Sequence, residues 1–299
     1  MRSRAARLGA ALASALAMGA CNEILGLHEG KPRLGEDGGG GAGAASANAS
    51  ASSADDSVSS TSTTTTLSSS STGFGGGPWG CVGLVGPPGS ADLTYQIKLS
   101  DGGNDPAAGL MAERCAASDP DCSMSLGSEA VLQNGAIEAS VPASFYGYLD
   151  VTGGGYKPML VYLGPPSNLP LPVEPVPLFS AFWFNVVLQA VGLDTEDPAR
   201  GHLLVLGADC TLSPAAGLSF SASTADAQTE RFYQVDADTI DAQGTETYDV
   251  GLGGFVNLPP GLAVVRLYFA SDTSTPIGQA EVTIRAQSIT MLRLGPTPP

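Results

Sequence analysis

Residues 247–285 read TYDVGLGGFVNLPPGLAVVRLYFASDTSTPIGQAEVTIR, and this stretch decides the fold class. In its last six residues Ala280, Val282 and Ile284 point one way and Glu281, Thr283 and Arg285 the other, the period of a strand with one wet face. Leu262–Ala270 is an apolar run of strand length, and Leu258–Gly261 ahead of it holds the Pro-Pro-Gly of a turn. Working outward, Leu93–Ser100 (LTYQIKLS), Gly147–Thr152 (GYLDVT) and Gly201–Cys210 (GHLLVLGADC) read as further strands. Turn residues cluster between them at Asp101–Pro106, Gln133–Gly135 and Gly153–Gly155. Short strands at regular spacing with such turns predict antiparallel sandwiches.

The stretch has an echo. Pro214-Ala215-Ala216-Gly217-Leu218 repeats Pro106-Ala107-Ala108-Gly109-Leu110, and each copy follows a predicted strand. Gly135–Pro142 (GAIEASVP) parallels Gly254–Pro259 (GFVNLP). A spacing of about one hundred residues is one small β-domain per copy, not a solenoid. With these residues in view, the second half resembles the carboxypeptidase regulatory-like, or transthyretin-like, domains. Thr247-Tyr248-Asp249-Val250-Gly251 followed by Gly254–Gly261 fits their Thr-Asp-x-x-Gly pattern with two residues inserted; Asn134-Gly135, Val141-Pro142 and Gly155-Tyr156 fit it in the first half. The resemblance implies two tandem all-β Greek-key sandwiches, a binding or structural role, and no catalytic residues. It places sandwich 1 at 78–165, a connector at 166–200 and sandwich 2 at 201–299.

Within the connector, Pro165–Pro177 is Pro-rich and extended. Leu178–Gly192 then predicts one short helix whose buried stripe is Phe179, Phe182, Trp183, Val186, Val187, Ala190 and Val191, capped by Ser180 and ended by Gly192. Such a helix serves as interdomain packing or as a docking surface.

Ahead of residue 78 the chain changes character. Arg2, Arg4 and Arg7 precede the apolar run Leu8–Ala20, which is too short to span a bilayer and has the length of a signal-peptide core. Met18-Gly19-Ala20-Cys21 resembles the lipobox of bacterial lipoproteins, with Met18 where Leu is usual. The resemblance implies removal of 1–20, acylation of Cys21 and a lipid bilayer as partner, at the outer membrane or cell surface. From Gly38 to Gly77 only six of 40 residues are not Gly, Ala, Ser or Thr, so 21–77 predicts a disordered tether. A flexible chain of 40 residues spans roughly 35 Å root-mean-square.

Composition excludes more than it selects. The 299 residues carry 13 Lys and Arg against 29 Asp and Glu, a net charge of −16, and −19 once the three leader arginines are gone. Such a polyanion repels nucleic acid. Apart from Cys21, the even set Cys81, Cys115, Cys122 and Cys210 suggests disulfides in an exported chain and allows three pairings. The turn-rich hexapeptide between Cys115 and Cys122 favours that pair, leaving Cys81 with Cys210.

Chemistry-bearing motifs are scarce. No Gly-x-Ser-x-Gly elbow and no His-Glu-x-x-His occurs, and His202, in a predicted strand, reads as a satisfied strand-edge histidine. Asp236, Asp238 and Asp241 are the calcium candidate, although their spacing misses the calcium-loop rule. Tyr146, Tyr148 and Tyr156 are the carbohydrate candidate, with Tyr146 and Tyr148 on one strand face. No cofactor or other metal is expected. The reading is a non-enzymatic, membrane-anchored binding or scaffold module, with an envelope protein or polysaccharide as partner. Its alternatives are a carboxylate-using carbohydrate hydrolase and a purely structural spacer.

Overall fold

The computed structural model describes residues 78–83, 92–100, 107, 109–142, 145–163, 174–236 and 239–296. The leader 1–20, Cys21, the tether 21–77 and Asp238 lie outside the described residues.

The first half supplies seven strands: β1 (Leu93–Ser100), β2 (Leu110–Ala116), β3 (Gly127–Glu129), β4 (Ala136–Val141), β5 (Gly147–Gly153), β6 (Met159–Leu163) and β7 (Glu174–Pro177). Helix α1 (Ala181–Ala190) follows. The second half supplies β8 (Gly201–Gly207), β9 (Leu218–Ala222), β10 (Glu230–Gln234), β11 (Ile240–Asp241), β12 (Leu252–Leu258), β13 (Gly261–Phe269), β14 (Gly278–Ile284) and β15 (Ile289–Leu294). The expected all-β class with layered sheets and a single short helix is what these residues form.

The repeat is carried by the pairing order. β4-β1-β7 matches β12-β8-β15: in each, the first contact is antiparallel and the second parallel. β6-β5-β2 matches β14-β13-β9, antiparallel throughout. Gly109 and Gly217, the glycines of the repeated pentapeptide, both take positive φ (71° and 75°) just before β2 and β9.

The two halves do not stand apart as separate sandwiches. β15 pairs in parallel with β8 on one side and with β6 of the first half on the other. One nine-stranded sheet results, ordered β11-β10-β12-β8-β15-β6-β5-β2-β3. The sheets are therefore mixed rather than antiparallel throughout. Burial explains which strands sit centrally. β6 (MLVYL) is buried at every position, and β8 and β15 at all but one each. A continuous apolar run is what a strand needs when both faces of its sheet are covered. β4 (AIEASV) instead alternates buried with exposed or half-buried positions, as an outer sheet requires.

Each face of the long sheet has its own core. On one face β1, β4, β7 and α1 pack over Leu149, Val151, Met159, Val161, Leu204, Val256, Ile289 and Met291. On the other β9, β13 and β14 pack over Tyr148, Leu160, Tyr162, Leu203, Val205, Phe255 and Leu292. Neighbours in sequence such as Leu160 and Val161 enter opposite cores, as the strand period dictates.

Two further expectations need correction. Ser180 caps α1 as expected, its Oγ accepting from the Trp183 N–H at 3.3 Å. Of the expected stripe Val191 is buried and Phe179 and Val187 pack against the core, but Phe184 and Leu188 are buried in place of Phe182 and Val186, which are 63% and 40% exposed. Phe184 and Leu188 are as apolar as the expected stripe, so periodicity alone did not choose between the faces. The bare face of the second-half sheet did, and Phe184 covers His202 with ring centroids 4.4 Å apart. The second correction concerns alignment of the repeat. Gly135 corresponds to Gly251, not Gly254: the carbonyls of Gly135 and Gly251 accept from the N–H of Leu99 and Gly207 at 2.8 Å each. Both have positive φ, and a Cβ would lie 2.2 Å from the Leu99 oxygen or 2.6 Å from that of Gly207. The extra residue of β12 is absorbed by a register shift between Phe255 and Leu258, where Asn257 adopts φ 57°.

Candidate functional site

The richest polar constellations lie where the halves meet, one on each face of the long sheet. The first gathers around the bulge at Asn257. His202, on β8, is 1% exposed. Its Nδ1 accepts from the Asn257 N–H at 3.3 Å, which leaves Nε2–H to donate to Glu196 Oε1 at 3.0 Å. Lys157, from the first half, donates to both Glu196 oxygens at 2.7 Å and lies over the Phe184 ring at 4.8 Å from its centroid. Arg200 donates to the Asn257 carbonyl at 2.6 Å and grips Asp226 through two nitrogens at 2.9 and 2.8 Å. Burial pushes the His202 pKa down, against the pull of Glu196. Partial burial pushes Glu196 up, but Lys157 and His202 together outweigh it and hold the carboxyl below its usual value. Both imidazole nitrogens of His202 are thus engaged, and the group acts as a neutral strut.

The second constellation lies on the opposite face. Arg285, just past β14, donates to Asp150 Oδ2 of β5 at 2.7 Å, to the Pro120 carbonyl at 3.0 Å and to the Tyr148 hydroxyl at 3.3 Å. Tyr148 donates to the Asp119 carbonyl at 2.6 Å. The Asp119 carboxylate accepts from the N–H of Met124 and Ser123 at 2.7 and 3.1 Å, which lowers its pKa. Three tyrosine hydroxyls meet backbone along sheet edges. Tyr146 bridges the N–H and carbonyl of Glu281, Tyr162 accepts from Thr283 N–H at 2.7 Å, and Tyr233 accepts from Phe220 N–H at 3.3 Å. Desolvation by burial drives both Tyr146 and Tyr148 up to about 12. The edges of the β14-β13-β9 sheet are thereby occupied at these positions, which protects them from pairing with another chain.

The expected disulfides are both present. Cys115–Cys122 closes the loop between β2 and β3. Cys81–Cys210 fastens the segment at 78–83 to the second half, where Trp79 also stacks edge-on against Phe269 at 4.9 Å. Tyr146 and Tyr148 do share a face, both within reach of Tyr162. Tyr148 is fully buried, whereas Tyr146 is 41% exposed with its hydroxyl bonded to Glu281, so only Tyr146 of the pair presents ring surface to solvent. Tyr156 lies apart from them, bridged to Ser180. Asp241 accepts from Gln243 N–H at 2.8 Å and from the Tyr248 hydroxyl at 3.3 Å, while Asp236 stands across the β10–β11 turn.

The sequence reading missed both long-range ion pairs, Lys157–Glu196 and Arg285–Asp150. A signal existed for one of them. Asp150 stands inside the apolar strand GYLDVT, and a carboxylate there demands a partner.

No protein-family model and no curated protein matches the chain. Among solved structures it is weakly similar to several, of which three follow. The TIE protein of Bacillus anthracis shares 11% identity and a TM-score of 0.23, over 69% of this chain and 34% of that one. The shaft pilin SpaA of Lactobacillus rhamnosus GG shares 9% and 0.22, over 69% and 98%. A minor pilin of Streptococcus agalactiae shares 14% and 0.21, over 69% and 97%. The chain thus spans about a third of the TIE protein, and at such TM-scores no statement of function follows from the likeness.

Proposed function

We propose that this chain is an exported lipoprotein, anchored through acylated Cys21, whose head at 78–299 is a non-catalytic recognition or scaffold module. One observation carries the reading of the head: β15 is shared between halves, and the charged groups flanking it are spent on joining them. Arg285–Asp150 is an ion pair between halves and Lys157–Glu196 one between the first half and the connector, at 2.7 Å each, with Glu196 also bonded to His202 of β8. Groups bonded this way hold geometry, which supports a structural role for these four residues. The matching pairing order of the halves supports kinship with the carboxypeptidase regulatory-like domains. The anchor and the outer-membrane or cell-surface location rest on Arg2–Cys21 and on the composition of the tether.

Two measurements test this. An alkyne fatty acid fed to expressing cells labels the wild-type chain, and Cys21→Ser abolishes both label and membrane fractionation. The full chain, displayed on matrices of envelope polysaccharide and envelope protein, is retained on one of them. A wild-type chain that takes up no fatty acid removes the anchor. A head with no partner on any matrix, yet with glycan or ester hydrolysis that a carboxylate-to-alanine series abolishes, replaces the module by an enzyme.

A further inference from the structure

The Cys115–Cys122 disulfide lies in a setting that a structural bridge does not require. A sulfur from each cysteine and a carboxylate oxygen of Asp150 all lie within 4.8 Å of one another. Glu113 Oε2 stands 4.0 Å from the Cys122 sulfur. Glu113 and Asp150 are directly opposed across the β2–β5 pair, where two like charges destabilise a sheet unless a cation lies near both. Arg285 takes Oδ2 of Asp150, while Oδ1 is buried and has no hydrogen-bond partner. Two sulfurs and two carboxylates thus converge, from β2, β5 and one loop.

We propose that this cluster is a redox-gated site for a zinc-class divalent cation, with Cys115, Cys122, Asp150 and Glu113 as ligands. With the disulfide intact the site is closed, because the thiolate, not the disulfide sulfur, is the ligand. An external dithiol opens it. The reductant gives two electrons and two protons, the S–S bond breaks, two cysteine thiols form and the reductant leaves as its own disulfide. The cation then displaces the two thiol protons and binds two thiolates and two carboxylates, a donor set suited to tetrahedral zinc or cadmium. Ligand atoms of such a site stand roughly 3.5 Å apart, which the cluster reaches once the sulfurs separate.

What makes the site persist after reduction is that the loop is held by other bonds. Tyr148 donates to the Asp119 carbonyl, Arg285 to that of Pro120, and the Asp119 carboxylate takes the N–H of Ser123 and Met124. The thiol of Cys122 therefore stays near Cys115, which is fixed in β2. Cys-x6-Cys is not a zinc spacing in sequence; the two carboxylates arrive through strand pairing.

The test titrates the full chain with Cd2+ alone, before and after reduction by a water-soluble phosphine, and reads the thiolate-to-cadmium absorption in the ultraviolet. Because the phosphine also opens Cys81–Cys210, the titration is read in the Cys81→Ser, Cys210→Ser chain, where one cadmium per chain is expected after reduction and none before. Adding Cys115→Ser and Cys122→Ser to that chain abolishes the band. Glu113→Gln and Asp150→Asn each weaken binding about tenfold or more, comparable to losing a supporting group at a metal site. Circular dichroism of the reduced Cys81→Ser, Cys210→Ser chain shows the sheet intact. A folded, reduced chain without the band overturns the proposal. So does a band indifferent to both carboxylate changes, or a fold lost on cleaving this bridge.

Discussion

Met291→Ala tests whether the halves are one cooperative body. Met291 lies on β15, 4% exposed, opposite Leu204 of β8 on one side and Val161 of β6 on the other. Truncating a buried methionine costs about 2–5 kcal/mol, the lost transfer of its methylenes plus the cavity left behind. Both neighbours come from rigid central strands, which limits collapse around the hole, so about 3 kcal/mol is expected. For a unit of this size each kcal/mol lowers Tm by about 2–4 °C, giving a fall of about 6–12 °C. Calorimetry of the full chain should show one transition from the head, displaced as a whole. Leu262→Ala, at a position 56% exposed, should move it by no more than about 2 °C. Two resolved transitions in the wild type, or one that moves while another stays, would refute the fused sheet as the unit of stability.

Tyr162→Phe strands the Thr283 N–H, and Thr283 is 2% exposed, so it should cost about 1–3 kcal/mol; Tyr146→Phe, at a partly exposed edge, should cost less but raise self-association in light scattering. The two disulfides enclose 129 and 7 residues of sequence separation, for which the chain-entropy model gives about 5 and about 2 kcal/mol. Replacing Cys81 and Cys210 together should therefore lower the denaturation midpoint more than replacing Cys115 and Cys122, and the reverse order would contradict that account. His202 has a folded pKa below its ordinary 6.5, so the unfolded chain binds the proton first and stability falls as pH drops below 6.5. Glu196, held below its ordinary 4.5, adds a further loss as pH falls below that value, and denaturant titrations of His202→Gln should lack the first loss while keeping the second.

How far the fold was legible follows from where its information sits. LTYQIKLS and AEVTIR are strands where expected, and LTYQIKLS keeps its wet face, whereas Thr283, on the expected wet face of AEVTIR, is buried. The turn-rich hexapeptide located the short disulfide, because a closed loop of that length is a local property. The course of β15 was not legible. Its run ITMLRL marks a strand covered on both faces, but nothing local says that one flank belongs to the other half. The helix face failed for a related reason. AFWFNVVLQA is apolar nearly all round, so only the surface beneath could select Phe184 and Leu188 over Phe182 and Val186.

The seams could have been approached through the scarcity of cations. Of the 13 basic residues five precede residue 78, leaving eight for residues 78–299 of a strongly acidic chain. Four of those eight, Arg114, Lys157, Arg200 and Arg285, form ion pairs with carboxylates. On opposite faces of the shared sheet, Arg285 bridges the halves through Asp150 and Lys157 reaches β8 through Glu196 and His202. An acidic chain repels itself, and two acidic halves laid edge to edge repel most at their junction. Placing Lys157 and Arg285 there, partly buried where salt screens them less, offsets that repulsion where β15 must sit between β8 and β6. On this argument Lys157→Gln and Arg285→Gln together should loosen the junction more than either alone. The measure is amide exchange in β15 and β6 compared with β1 and β13, and equal protection in all four strands would show that the cations are not what holds the halves together.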